Sequence, residues 1–149
     1  MKTTKPKSKA ASTTKRKSPA TARKKILIVD DDPQILEMYS LLLQEAGYAV
    51  EQAEHSLAAI AAIVRSAPDL ILADIRMPIV DGMELVRELK SHSDSRNIPV
   101  VAVTGYDSPE TRQAALEAGY ADYITKPIDP RRFPAHIAKL LRPAKVKRS

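Results

Sequence analysis

Five short strand-like runs alternate with five amphipathic segments from residue 26 onward. Two of the runs, ILIV and LILA, are apolar without interruption, as in parallel strands that helices cover on both faces. The predicted strands are Ile26–Val29, Ala49–Ala53, Leu70–Ala73, Val100–Thr104 and Asp122–Thr125. This alternation predicts an α/β domain with a doubly wound, mainly parallel sheet of five strands and right-handed crossovers.

Capping residues and glycines mark the predicted ends of the helices. Asp32 is predicted to cap the first helix, with Pro33 in its first turn and Gly47 at its end. Ser56 is predicted to cap the second helix. The apolar face of that second helix would consist of Leu57, Ile60, Ile63 and Val64.

The remaining helices are predicted from similar signals. The segment DGMELVRELK predicts a third helix, in which Asp81 and Gly82 form a turn and a cap. Ser108 opens a fourth helix, and a fifth follows residue 129 and contains Pro134, which must lie in its first turn or kink it. The first and fourth helices end alike, in EAGYAV and EAGYAD, which predicts a shared device for passing from helix to strand.

The charges are segregated along the chain. Residues 1–25 contain ten Lys or Arg and residues 142–149 contain four more, with no acidic residue in either stretch. The residues between them hold the other 10 basic residues and all 18 acidic ones. The N-terminal stretch also lacks large apolar residues after Met1, so it cannot bury enough surface to fold. We therefore expect a disordered basic tail over 1–24, one domain over 25–142 and a short basic tail over 143–149.

Composition excludes several classes of protein. The chain contains no cysteine, which excludes disulfides and thiolate metal sites. Its longest apolar runs fall short of the roughly 18 residues that a membrane span requires. The basic N-terminal stretch is not followed by the apolar segment of a signal peptide. The sequence therefore predicts a soluble cytoplasmic protein without a membrane partner.

Polar residues follow or end four of the five predicted strands in a functional pattern. Asp30 and Asp31 follow the first strand, Asp74 follows the third, Thr104 ends the fourth and Lys126 follows the fifth. The carboxyl ends of parallel strands meet at one edge of a sheet, which is where such sheets bind ligands. Clustered carboxylates require a cation, and their oxygen atoms suit Mg2+. The pattern predicts magnesium-dependent phosphoryl transfer to a carboxylate, with the lysine neutralising the transferred group.

Four segments carry these residues: ILIVDDDP, DLILADIRMPIVDG, VVAVTG and ADYITKPI. In this order and at these spacings, they resemble the receiver domain of bacterial two-component response regulators. The resemblance covers about residues 25–142. It implies a flavodoxin-like fold with strand order 2-1-3-4-5 and five helices, in a stand-alone, chemotaxis-regulator-like protein.

The resemblance implies a role for each matching residue. Asp74 would be the phosphoacceptor, and Mg2+ would be held by Asp30, Asp31, Asp74 and the backbone carbonyl of Arg76. Lys126 would pair with the phosphoryl group. The peptide bond before Pro127 would be cis.

The resemblance also implies residues that switch the protein and tune it. Thr104 and Tyr123 match the switch pair, in which the hydroxyl moves toward the phosphate and the aromatic ring turns inward. Arg76 and Tyr106 occupy the positions that influence phosphoryl lifetime. Both are large enough to hinder an attacking water, so we expect a fairly persistent phosphoryl group.

The function implied is phosphorelay signalling rather than enzymatic turnover of a substrate. The phosphoryl donor would be a sensor histidine kinase or a histidine phosphotransfer protein, and a downstream protein would dock on the face formed by helix four, strand five and helix five. The aspartyl-phosphate hydrolases, a competing class, carry a second aspartate two residues after the nucleophile, where this chain has Arg76. The protein would therefore catalyse only its own phosphorylation and its own slow dephosphorylation.

Two further features of the sequence leave alternatives open. The basic N-terminal tail could bind nucleic acid through phosphate contacts, although it has no aromatic residue to stack on bases. It could equally be a solubilising tail or fold back on the acidic domain. His55, His92 and His136 share no ligand or relay spacing, so we expect all three to be surface residues.

Overall fold

The computed structural model describes residues 23–76, 82–105 and 107–141. Strands and helices alternate there: β1 (Lys25–Val29), α1 (Pro33–Glu45), β2 (Ala49–Ala53), α2 (Ser56–Arg65), β3 (Leu70–Ala73), α3 (Gly82–Lys90), β4 (Val100–Thr104), α4 (Pro109–Ala118), β5 (Asp122–Thr125) and α5 (Phe133–Leu141). Every predicted strand is confirmed to within one residue. None of the helices in these ranges is long and apolar enough to cross a membrane.

Several predictions fall outside the described ranges. The predicted tails, 1–24 and 143–149, lie there apart from Arg23 and Lys24. Asp81 and Tyr106 also lie outside the described residues. The tail boundaries, the nucleic-acid role of the N-terminal tail and the roles of these two side chains therefore remain predictions.

The five strands form one parallel sheet in the order β2-β1-β3-β4-β5, as expected. The chain begins near the centre, adds β2 on one side of β1, and then crosses to β3 on the other. The winding direction therefore reverses between β1 and β3. In open α/β sheets this reversal opens a crevice beyond the carboxyl ends of the strands.

Alternating strand residues supply two separate hydrophobic cores. Ile26 and Ile28 of β1 pack with α1 and α5, forming what we call the α1/α5 core. Leu27 and Val29 pack on the opposite face with α2, α3 and α4, forming the α2/α3/α4 core. All four side chains are buried, which is why the strand is apolar at every position.

The helix starts predicted from capping residues are confirmed for α1 and α4. Asp32 accepts a hydrogen bond from the Gln34 amide at 2.9 Å, and the Ser108 hydroxyl accepts one from the Thr111 amide at 3.0 Å. Each pairing satisfies an amide that has no partner within its own helix. Pro134 lies in the first turn of α5, where its missing amide is tolerated.

The two EAGYA segments form the same helix end. Gly47 and Gly119 have backbone φ angles of +102° and +124°, which favour glycine because a Cβ would be strained there. The amides of Tyr48 and Tyr120, one residue later, each donate to the carbonyl five residues earlier at 3.0 Å. This pairing closes the helix and directs the chain into the next strand.

The prediction that Ser56 caps α2 is wrong. The capping residue is His55, whose Nδ1 accepts a hydrogen bond from the Ala58 amide at 3.1 Å. A neutral imidazole nitrogen can accept as a serine hydroxyl does. Ser56 instead begins the helix and is buried.

The apolar face predicted for α2 is also partly wrong. Leu57 and Val64 are 58% and 80% exposed, whereas the buried residues of the helix are Ser56, Ala59, Ala62 and Ile63. Nearly every residue of this helix is apolar, so its sequence does not distinguish one face from another. The helix turns its small residues to the sheet.

The three histidines, which we expected at the surface, differ in their exposure. His55 is half-buried as the cap of α2. His136 is half-buried on α5, and its Nε2 lies 2.9 Å from an Asp122 oxygen. His92 is the most exposed of the three, and it pairs with Glu88 one helical turn earlier. Histidine therefore serves here as a helix cap and as a hydrogen-bonding partner of carboxylates.

Candidate functional site

The polar residues that follow the strands are held by extensions of the sheet. The amide of Asp30 donates to Ala53 of the neighbouring strand, and the amide of Asp74 donates to Val29, each at 3.1 Å. The amide of Lys126 donates to the Thr104 carbonyl at 2.9 Å. Each functional residue is thus the first residue beyond its strand, and its backbone is fixed by the strand beside it.

Three of the predicted site residues form an acidic cluster. Asp30, Asp31 and Asp74 each offer a carboxylate oxygen, and these oxygens lie within 4.8 Å of one another. Asp30 and Asp74 are buried, whereas Asp31 is exposed at the rim. A set of carboxylate oxygens with one side open to solvent fits Mg2+, which keeps several water ligands.

Lys126 contacts two of these carboxylates directly. Its Nζ lies 2.8 Å from Asp30 Oδ2 and 3.1 Å from Asp74 Oδ2. Burial disfavours the ammonium, but the hydrogen bond to Asp30 and the charge of Asp74 outweigh this effect and raise the pKa of Lys126. Burial also raises the pKa of Asp30, although the hydrogen bond from Lys126 opposes it. The lysine therefore neutralises charge between the first and third strands.

Backbone amides orient two of the acidic side chains. The Asp32 amide donates to Asp30 Oδ1 at 2.9 Å, and the Arg76 amide donates to Asp74 Oδ1 at 3.2 Å. The second bond also brings the backbone of residue 76, whose carbonyl is a predicted metal ligand, next to the carboxylate of Asp74. Arg76 is itself exposed at the site. The Lys126–Pro127 peptide bond is cis.

Thr104 and Tyr123 lie on the adjacent strands β4 and β5. Thr104 is fully buried at the end of β4. Tyr123 is only 5% exposed, with its ring in the α2/α3/α4 core. Among the described residues, none forms a hydrogen bond with the buried Tyr123 hydroxyl. The aromatic ring is therefore turned inward in this structure.

Sequence reasoning missed the arginine that covers this ring. The guanidinium carbon of Arg112 on α4 lies 4.6 Å from the centroid of the Tyr123 ring. The same guanidinium lies 2.9 Å from Asp107, which precedes the helix. The Tyr123 ring is thus held by a cation–π contact from a residue eleven positions earlier. No motif in the sequence signals this contact.

Comparison with known proteins identifies the family. A family model described as response regulator receiver domain matches residues 26–138. The chain belongs to this family, and it is therefore a signalling protein of the two-component type. Phosphorelay signalling is the general function of such domains.

Two curated relatives illustrate the range of the family. A 14.6 kDa protein from the sodA1 3′ region of Leptolyngbya boryana is 38% identical over 109 residues, which cover 73% of this chain and 83% of that protein. The phosphate regulon transcriptional regulatory protein PhoB of Pseudomonas aeruginosa is 42% identical over 119 residues, which cover 80% of this chain. The chain spans 52% of the length of PhoB and about as much of several other regulators.

Solved structures show the same fold over nearly their whole length. Chemotaxis protein CheY4 of Vibrio cholerae has a TM-score of 0.76 and 32% identity, covering 79% of this chain and 98% of its own. The beryllofluoride-activated N-terminal receiver domain of Klebsiella pneumoniae RstA has a TM-score of 0.75 and 33% identity, covering 80% of this chain and 100% of its own.

Proposed function

We propose that this protein accepts a phosphoryl group on Asp74 in a reaction that depends on Mg2+. The donor is a sensor histidine kinase or a histidine phosphotransfer protein in the cytoplasm. The observation that carries the proposal is the acidic cluster of Asp30, Asp31 and Asp74, with Lys126 in contact with two of its members. Membership in the receiver family supports it.

The donor set suits a hard divalent cation. The carboxylates of Asp30, Asp31 and Asp74 and the backbone carbonyl of Arg76 would hold Mg2+. Bound there, the ion supplies positive charge that neutralises the transferring phosphoryl group. Lys126 contacts Asp30 and Asp74 but brings only one positive charge to a cluster of three carboxylates, so negative charge remains and favours metal binding.

The chain's own residues would carry out the transfer as follows. A carboxylate oxygen of Asp74 forms a bond to phosphorus while the phosphorus–nitrogen bond of a donor phosphohistidine breaks, and the imidazole leaves with that electron pair. The Arg76 amide orients the Asp74 carboxylate through Oδ1. Lys126, which bonds to Oδ2, transfers its ammonium contact to a phosphoryl oxygen.

Phosphorylation would then change the surface formed by α4, β5 and α5. The Thr104 hydroxyl would move to a phosphoryl oxygen, and the Tyr123 ring, which is already buried on the next strand, would fill the space that the hydroxyl leaves. A downstream protein would dock on this surface only in one of the two states. The relative PhoB is named as a transcriptional regulatory protein and CheY4 as a chemotaxis protein, so the output of such domains varies.

The phosphoryl group would persist because no acid/base catalyst stands two residues after Asp74. That position is Arg76, and Tyr106 occupies the position two after Thr104. We expect the phosphoryl group to be lost more slowly from the wild type than from an Arg76→Asn, Tyr106→Ala variant. The measurement is the amount of phosphoprotein that remains over time. A decay no slower than that of the variant would refute this part of the proposal.

The direct test is phosphorylation of the full chain by a small acyl phosphate in the presence of Mg2+. Intact mass should show one added phosphoryl group on the wild type and none on Asp74→Asn. Asp94→Asn is the matched control, because Asp94 is exposed on the connection between α3 and β4, at the opposite edge of the sheet. Removing Mg2+ with a chelator should abolish the modification. Equal labelling of Asp74→Asn and wild type would refute the proposal.

A capture experiment tests the output. Full-length wild type and Asp74→Ala should be immobilised with Mg2+, each with and without beryllofluoride. We expect a protein that is retained only by activated wild type. Retention by all four samples would show that binding is independent of the site.

A further inference from the structure

Tyr120 is not among the predicted site residues, yet its hydroxyl contacts the backbone segment that packs against Asp74. The side chain is buried in the α2/α3/α4 core. Its hydroxyl donates a hydrogen bond of 2.8 Å to the carbonyl of Gly82, which is 38 positions earlier in the sequence. The bond connects the segment between α4 and β5 to the first residue of α3.

Gly82 packs directly against the backbone of the phosphoacceptor. A Cβ atom at Gly82 would lie 2.3 Å from the Asp74 carbonyl oxygen, 2.4 Å from the Tyr120 hydroxyl and 2.8 Å from Ile75 Cα. The glycine, the tyrosine hydroxyl and the Asp74 main chain therefore share a space that leaves no room for a methyl group. In addition, the Gly82 amide donates to the Ile75 carbonyl at 2.8 Å.

These contacts fix the two ends of the connection from β3 to α3. At its start, the Arg76 amide bonds to Asp74 Oδ1 at 3.2 Å. At its end, Gly82 is held between Ile75 and Tyr120. The backbone carbonyl of Arg76, a metal ligand in the proposed function, lies between these two anchors. Mg2+ requires nearly octahedral geometry, so a small displacement of one ligand weakens its binding.

We propose that the Tyr120 hydroxyl is a positioning group for the metal site. By holding Gly82 against the Asp74–Ile75 backbone, it keeps the Asp74 carboxylate and the Arg76 carbonyl in the geometry that Mg2+ needs. This inference rests on the proposed function, because it assigns Mg2+ to that cluster. Tyr120 does not touch the ion; it acts through the backbone.

The test compares Tyr120→Phe with two controls in the full chain. Tyr48→Phe removes the same hydroxyl from the other EAGYA segment. Ser95→Ala removes a different buried hydrogen bond, from the Ser95 hydroxyl to the Leu89 carbonyl, away from the acidic cluster. Mg2+ affinity is measured by calorimetry, and backbone exchange is measured at the Gly82 amide by NMR.

We expect Tyr120→Phe to raise the dissociation constant for Mg2+ by roughly 3- to 10-fold, below the 10- to 100-fold typical of groups bonded directly to a ligand. Exchange of the Gly82 amide should accelerate, and both controls should match wild type. An unchanged affinity or an unchanged Gly82 exchange rate would overturn the inference. So would an equal loss of affinity in Ser95→Ala, because the effect would then be one of general stability.

The same experiment separates this inference from the proposed function. If wild type binds no Mg2+, the proposed function fails and the inference fails with it. If wild type binds Mg2+ and becomes phosphorylated while Tyr120→Phe binds it equally well, only the inference fails.

Discussion

The two EAGYA segments share their sequence and their backbone conformation but not the environment of their tyrosines. Both follow a glycine with positive φ, and both lead into a strand through the same amide-to-carbonyl pairing. Tyr48 is half-buried beside the α1/α5 core. Tyr120 is 3% exposed within the α2/α3/α4 core, and its hydroxyl is bonded to Gly82.

This comparison separates the features that local sequence determines from those that tertiary contacts determine. Glycine and the helix end are determined by a few neighbouring residues, so they repeat wherever the sequence repeats. The hydroxyl's partner lies 38 positions away and depends on which elements the sheet brings together. One segment therefore only ends a helix, whereas the tyrosine of the other is also bonded to the first residue of α3.

The largest difference should appear when the two tyrosines are truncated. Tyr120→Ala should lower the free energy of unfolding by about 3–5 kcal/mol, because it leaves a cavity in a closed core. Tyr48→Ala should lower it by only about 1–2 kcal/mol, because the half-buried Tyr48 side chain removes less apolar surface from water when the protein folds. Urea unfolding measures both values. Equal losses would show that the two environments do not differ energetically.

The next largest effect should come from the partner of Tyr120. Gly82→Ala should destabilise the fold by about 2–3 kcal/mol, because the added methyl group meets the Asp74 backbone. Gly105→Ala is the matched control, since a Cβ there would meet nothing within 4 Å. Both variants are measured by urea unfolding. A Gly82→Ala variant as stable as Gly105→Ala would contradict the close packing around Tyr120.

Substituting alanine for the glycines at the two helix ends should change the stability of the fold by more similar amounts. Alanine at either Gly47 or Gly119 must adopt a left-handed conformation, which costs about 1–2 kcal/mol. At Gly119 the new Cβ would also lie 3.0 Å from Lys90 Cγ, whereas at Gly47 it would meet nothing within 4 Å. Gly119→Ala should therefore be the less stable variant in urea unfolding. The opposite order would contradict this account.

The smallest effect on stability should come from removing the hydroxyl of a third tyrosine, Tyr123. Its sign should be opposite to that of the same change at Tyr120. Tyr120→Phe loses a buried hydrogen bond and should destabilise by about 1 kcal/mol. Tyr123→Phe removes a buried hydroxyl that has no partner among the described residues, and should stabilise by up to about 1 kcal/mol. Thermal and urea unfolding should agree. Destabilisation by Tyr123→Phe would indicate that this hydroxyl is solvated in solution.

The sheet was predictable because its signal is local. The runs ILIV and LILA are apolar throughout because β1 and β3 are buried on both faces, and this pattern located both strands to within one residue. Helix α2 was less predictable for the opposite reason. Its sequence is apolar on every face, so only the tertiary contacts reveal that Ala59 and Ala62 face the sheet while Val64 is exposed.

The candidate site was predictable in its members but not in its contacts. Parallel topology brings residues at strand ends to one edge, which predicted the clustering of Asp30, Asp31 and Asp74. The bond from Lys126 to Asp30 was not predicted, because the resemblance placed Lys126 only beside a phosphoryl group. Tyr120 was missed because nothing in its local sequence distinguishes it from Tyr48.

The separation between Asp30 and Lys126 has a consequence for how the protein comes into use. These residues are 96 positions apart and meet at 2.8 Å, so the site joins the beginning of the domain to its end. A ribosome must release β5 before the lysine can reach the acids of β1. A chain that stops before β5 would therefore lack the ammonium group that contacts Asp30 and Asp74, and these two buried carboxylates would be left without that partner.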